Sequence, residues 1–179
     1  MVRLEDLNIT FFHIPKNAGS SIQYWLRDNC DSEVYDGEIR HETPKNLKGL
    51  FDDFGWSFCV LRNPYDRVAS WYKHFVRQNK INVSFKKYVR RASEFENSRY
   101  YKWPGEQLEY LTCDYIMRYE NLSKDFKVIQ DKVKCYKPLG LINANGGSYV
   151  DLYKDKDTIN LVRDRYQVEL HKFNYDFGG

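Results

Sequence analysis

Two apolar runs in this chain each break straight into a polar turn and then into a helical stripe. The first is NITFFHI, residues 8–14, followed by PKNAGSS. Ile22, Trp25, Leu26 and Cys30 then recur at helical spacing, which predicts a helix over about 20–29. The second run is WSFCVLR, residues 56–62. Asn63-Pro64 follows as cap and first-turn proline, and Val68, Trp71, Tyr72, Phe75 and Val76 share one stripe. Strands alternating with helices predict an α/β fold with a mainly parallel sheet flanked by helices. Ligands of such sheets bind at the carboxyl ends of strands. Lys16 and Arg62 both stand at such ends.

The rest of the chain continues the alternation. Thr43 and Pro44 open a short helix with Leu47, Leu50 and Phe51 on one face. VSFKKYVRRA reads as helix, DYIMRY as a third strand, and Asn121 or Ser123 as a cap for KDFKVIQDKV. Ile159, Val162, Tyr166, Leu170 and Phe173 mark an amphipathic last helix. SEFENSRYYKWPGEQ and residues 137–149 read as loops. A length of 179 residues predicts one domain, 1–179, with a real core.

Charge and cysteine usage narrow the function classes. A net charge of +3 is too weak to argue for nucleic acid, yet it permits an acidic small molecule or polysaccharide. Cys30, Cys59, Cys113 and Cys135 form no CxxC pair, and no histidine sits at zinc-finger spacing. Neither a metal site nor a disulfide framework is expected, which points to a reducing compartment. No apolar run approaches the ~18 residues of a membrane span. Acids occupy the start where a signal peptide needs an apolar core, so a cytoplasmic protein is expected.

The first turn suits a doubly charged anion. A helix start offers backbone N–H groups and the positive end of its dipole. Gly19 admits close backbone approach, Ser20 and Ser21 add hydroxyls, and Lys16 adds a charge. The pattern is not G-x-x-x-x-G-K-[ST], because Lys16 precedes Gly19 by three residues. No Walker B-type aspartate lies nearby, which argues against ordinary ATP or GTP hydrolysis. In CVLRNPYDRVASWY, Arg62 ends a strand and Ser70 lies eight residues on. A guanidinium can bind a phosphate bidentately, and a hydroxyl can complete the contact. The same residues also read as two helix starts with serine capping and surface cations.

Together the motifs resemble those of sulfotransferases that use 3′-phosphoadenosine 5′-phosphosulfate (PAPS), closest to the carbohydrate sulfotransferases. MRYENLSKDF and HKFNYDF resemble later segments of that family, with Asn174 where glycine is usual. The resemblance covers residues 9–177. It implies a strand-turn-helix phosphosulfate site made by Lys16, Asn17, Ala18, Gly19, Ser20 and Ser21. It implies that Arg62 and Ser70 hold the 3′-phosphate, and that a closing loop with Asn145, Gly146, Gly147 and Ser148 adds donors. That loop has no basic residue before Lys154, unlike much of the family.

A base must take the acceptor's proton. His13 lies inside the first strand, His74 inside a helix, and His171 near the end of the last one. His41, in RHETPKNL, stands where the resemblance places a catalytic histidine, with Glu42 as the fallback. Lys16 is the second catalytic residue, stabilising the leaving phosphate. No metal is required. The implied acceptor is a hydroxyl on a saccharide or glycolipid, on whose ring Tyr100, Tyr101 and Trp103 could stack unless they are core. KKYVRR is a solvated face or a steering patch for an anionic acceptor. A nucleotide kinase with an altered phosphate loop and a non-catalytic nucleotide-binding module are the alternatives.

Overall fold

The computed structural model describes residues 1–30, 33–34, 37–94, 101–140 and 147–179. In chain order the strands are β1 (Val2–Leu4), β2 (Ile9–Phe11), β3 (Glu33–Val34), β4 (Trp56–Leu61) and β5 (Tyr115–Arg118). The helices are α1 (Gly19–Asn29), α2 (Pro44–Leu47), α3 (Pro64–Asn79), α4 (Phe85–Glu94), α5 (Leu122–Asp125), α6 (Lys127–Val133) and α7 (Lys156–Phe173). Short 3-10 turns include Gly37–His41, Gln107–Tyr110 and Tyr119–Asn121. The chain falls into two compact units, Met1–Arg62 with Gln107–Ala144, and Asn63–Glu106 with Asn145–Gly179.

The first unit is built on a five-stranded sheet of order β3-β1-β2-β4-β5. β2, β4 and β5 pair in parallel, whereas β1 is antiparallel to both β2 and β3. Four strands therefore point one way and β1 alone runs against them, which is the expected α/β class with a mainly parallel sheet. β1 carries no apolar run long enough to announce it. Its Arg3 is buried because Thr10, Asn8 and Glu5 take its guanidinium at 2.9, 2.6 and 3.2 Å. β2 is shorter than the apolar run that predicts it. Phe12 still donates to the Phe58 carbonyl at 2.9 Å, and the chain then leaves the sheet toward the turn.

The core of this unit joins sheet and helix. Ile22 and Leu26 of α1 meet Phe11, Phe58, Val60 and Met117 of the strands, and all six are buried. Each such aliphatic burial contributes roughly 1.5–3 kcal/mol. Trp25 stands edge-on to Phe126 at 4.9 Å while its indole N–H reaches the Lys137 carbonyl at 3.0 Å. Thr43 caps α2 as expected, accepting from the Asn46 amide at 3.3 Å. The helix stops at Leu47, however, and Leu50 is exposed instead of joining its face.

The second unit packs helices through aromatic rings. Asn63 accepts from the Tyr65 amide at 3.1 Å and so opens α3, as the Asn-Pro pair predicts. Val162, Tyr166 and Leu170 of α7 are buried with Val68 and Phe75 of α3 and Tyr88 of α4. Tyr65, Tyr153 and Phe177 form a triad with centroids 5.1–5.7 Å apart. Two of the loop aromatics considered for a sugar ring join this core. Tyr101 lies 5.4 Å from Phe75, and Trp103 stands edge-on to Tyr166 at 6.0 Å. Tyr100 lies outside the described residues. The basic stripe of α4 is exposed, with Lys86 and Arg90 paired to Asp155 and Asp157 at 3.4 and 2.7 Å. Among the described residues, no helix is long and apolar enough to cross a membrane.

Candidate active site

The turn after β2 holds two non-glycine residues in the left-handed region, Lys16 at φ 70° and Ala18 at φ 60°. Each costs about 1–2 kcal/mol relative to ordinary backbone, so neighbours must hold them there. Arg62 Nη1 donates to the Lys16 carbonyl at 2.8 Å. Asn17 is buried, and its Nδ2 donates to the Val60 carbonyl and to Gln107 Oε1, both at 2.6 Å. Gln107 Oε1 also accepts from the Arg62 amide, and its Nε2 donates to the Arg62 carbonyl, each at 3.0 Å. Turn and strand end are thus one hydrogen-bonded assembly.

The start of α1 is left open by its own sequence. Ala18 is the cap residue and has no side-chain oxygen to offer, and the first turn contains no acid. An α-helix leaves its first N–H groups without partners inside the helix, and its dipole favours an anion there. Cations stand around this point. Arg40 Nη2 donates to Ser20 Oγ at 3.3 Å. The Arg62 guanidinium lies over the Tyr119 ring, 3.9 Å from its centroid, a cation–π contact that fixes its plane. Lys16 belongs to the turn itself and is half-buried, as is Ser20, while Ser21 is buried.

Gly19 has a different neighbour from the one the sequence suggests. The reading from sequence gives it the task of admitting a ligand. A Cβ at this position would lie 1.8 Å from His13 Cδ2 and 2.0 Å from Nε2. The glycine therefore makes room for the buried His13 ring. Burial, then the charges of His41 and Arg40, lower the His13 pKa to about 2, against a weaker opposing bond from Gln23. His13 stays neutral and contributes its backbone carbonyl instead.

That carbonyl lies 3.0 Å from His41 Nδ1. A carbonyl only accepts, so in the neutral ring Nδ1 carries the hydrogen and Nε2 is the basic nitrogen. The two rings meet edge-on at 4.5 Å. His41 is exposed, and its own carbonyl accepts from the Tyr110 hydroxyl at 2.5 Å. The fallback base, Glu42, accepts from Asn46 Nδ2 at 2.7 Å.

The remaining expected residues belong to the second unit. Ser70 is half-buried on α3. Ser148 is exposed and accepts from the Val150 amide at 3.2 Å, after Gly147 at φ 94°. Asn145 and Gly146 lie outside the described residues. Within the first unit, Lys16, Asn17, Ala18, Gly19, Ser20 and Arg62 are brought together, with His41 joined to them through His13. Sequence reasoning misses Arg40, Gln107, Tyr110 and Tyr119. Arg40 adjoins His41 in RHETPKNL and had a signal there; Gln107 is 90 residues from Asn17 and had none.

An anion seat beside an imidazole of fixed tautomer can hold a charged donor and accept a proton. The Sulfotransferase family model matches residues 1–145, a span that includes every one of these first-unit residues. Among solved structures, the chain is similar to a sulfotransferase from Alicyclobacillus acidocaldarius at 16% identity, with a TM-score of 0.41 over 69% of this chain. The chain spans 58% of that protein's length. A search among curated proteins returns no match. By the match over most of its length, the chain belongs to the sulfotransferase family.

Proposed function

We propose that the chain transfers a sulfuryl group from PAPS to an acceptor hydroxyl, with a saccharide or glycolipid as acceptor. The observation that supports this most is the uncapped start of α1 with Arg40 bonded to Ser20, beside a turn whose Lys16 carbonyl accepts from Arg62. A seat of this kind suits the 5′-phosphosulfate. His41 Nε2 takes the acceptor proton as the acceptor oxygen attacks sulfur. The sulfur–oxygen bond to the 5′-phosphate breaks in line, and its electron pair stays on the phosphate oxygen. Lys16 and the α1 amides offset the charge that develops there. Arg62 holds the donor's other phosphate and supplies positioning. The roles of Ser70, Asn145 and Ser148 in donor binding are carried from the motif resemblance alone. The scheme needs no metal, and its products are a sulfate ester and adenosine 3′,5′-bisphosphate.

The test is transfer of label from ³⁵S-PAPS to a panel of saccharides, glycolipids, peptides and small alcohols. Label in a saccharide or glycolipid is the expected result. Label in none of the panel, with the donor left intact, would remove the activity.

A further inference from the structure

The 3-10 turn Gln107–Tyr110 reaches both halves of the site with its two end residues. Gln107, fully buried, accepts from Asn17 at 2.6 Å and bonds the Arg62 backbone twice at 3.0 Å. It therefore sets the register between the anion turn and the strand end that carries the guanidinium. Tyr110, three residues on and also buried, donates its hydroxyl to the His41 carbonyl at 2.5 Å. Its ring is fixed by packing, so the hydroxyl sets where the His41 backbone lies, while the His13 carbonyl sets the ring nitrogen. One turn thus bonds to Asn17 and the Arg62 backbone at one end and to the His41 backbone at the other.

We infer that Gln107 and Tyr110 are positioning residues for the transfer reaction, Gln107 acting through Asn17 and Arg62 on donor binding and Tyr110 acting through His41 on turnover. This rests on the donor and base assignments proposed above. Neither residue is given contact with substrate. Both act through others, and their effects should separate cleanly. Loss of Gln107 loosens the register of two backbone segments around the anion. Loss of the Tyr110 hydroxyl leaves that register intact and lets the His41 segment shift.

The experiment measures two quantities on the native chain and on Gln107→Met, Gln107→Glu and Tyr110→Phe. One is the Kd for adenosine 3′,5′-bisphosphate. The other is the rate of sulfate release from PAPS with water as acceptor, measured at saturating donor. Gln107→Met should weaken bisphosphate binding roughly tenfold, the scale of a buried polar partner left unpaired. Tyr110→Phe should slow release roughly tenfold and leave the Kd within about twofold. Gln107→Glu guards against simple unfolding. Its ionised carboxylate still accepts from Asn17 and the Arg62 amide but repels the Arg62 carbonyl. Its protonated form can donate there again. The affinity of Gln107→Glu relative to native should therefore rise as pH falls, a recovery that a merely destabilised chain would not show. Equal loss of binding and rate in Gln107→Met and Tyr110→Phe, or a flat pH ratio for Gln107→Glu, would overturn the inference alone. Failure of the native chain to bind the bisphosphate would overturn the donor assignment and this inference with it.

Discussion

The two units bury their interiors by different means. The second relies on rings: Tyr65, Tyr153 and Phe177 interlock, and Tyr88 and Tyr166 point hydroxyls at backbone carbonyls of residues 102 and 104 at 2.5 Å. The first mixes aliphatic side chains with Phe11, Trp25, Phe58 and Phe126 against its sheet, and near the strand ends it buries Asn17, Gln107 and His13. Buried polar groups are costly unless paired, and here the pairing spans residues far apart in sequence. The hydrogen bonds of Asn17, Gln107 and Arg62 hold the turn with its two left-handed residues against the end of β4. Lys16, Asn17 and Arg62, proposed to seat the anion, belong to this hydrogen-bonded part of the first unit.

His41→Ala should have the largest effect, a ~10²–10⁴-fold fall in turnover, the scale of a removed general base. Donor affinity measured by calorimetry should barely change. Lys16→Ala should follow, lowering turnover ~10²–10³-fold with a smaller change in bisphosphate affinity, if the lysine acts on charge that develops in the reaction. Steady-state kinetics of the two variants would show whether turnover and affinity part in this way.

Folding energetics sharpen the contrast further. Leu170→Ala in the second unit should cost roughly 2–5 kcal/mol in denaturant unfolding, through lost burial and a residual cavity. The His13 effect depends on pH and is smaller at about pH 6, growing as pH falls. Its folded pKa, about 2, lies below the ordinary value of 6.5. Between those values the unfolded chain binds a proton that the folded chain does not. The group's contribution is thus fully present above 6.5 and is lost as pH falls, at up to ~1.4 kcal/mol per pH unit. His13→Leu should flatten the slope of stability against pH in that window, as read from urea midpoints at a series of pH values.

Much of the candidate site was legible because it is local. The step from an apolar run into PKNAGSS, and from another into RNPYDR, carries the strand ends, the turn and the helix starts in contiguous residues. The stripe on α7 likewise needs only its own spacing. Illegible features depended on side-chain partners that the spacing along one element does not show. Arg3 makes β1 look unlike a strand until Thr10, Asn8 and Glu5 close around it. Nothing in the turn's own sequence says that His13 fills the space where a Cβ of Gly19 would stand. Gln107 sits beside Pro-Gly in a polar loop, and nothing in that loop says that it bonds to residues 17 and 62.

On the proposed reaction, the turn at Lys16 and the guanidinium of Arg62 seat one bisphosphorylated nucleotide. Calorimetric titration of adenosine 3′,5′-bisphosphate into the native chain and into Arg62→Ala tests it most directly. The account predicts binding by the native chain, weakened in Arg62→Ala by roughly 1.5–3 kcal/mol, the worth of a charged hydrogen bond. Binding of equal strength in both, or tighter binding of ATP with magnesium than of the bisphosphate, would contradict it.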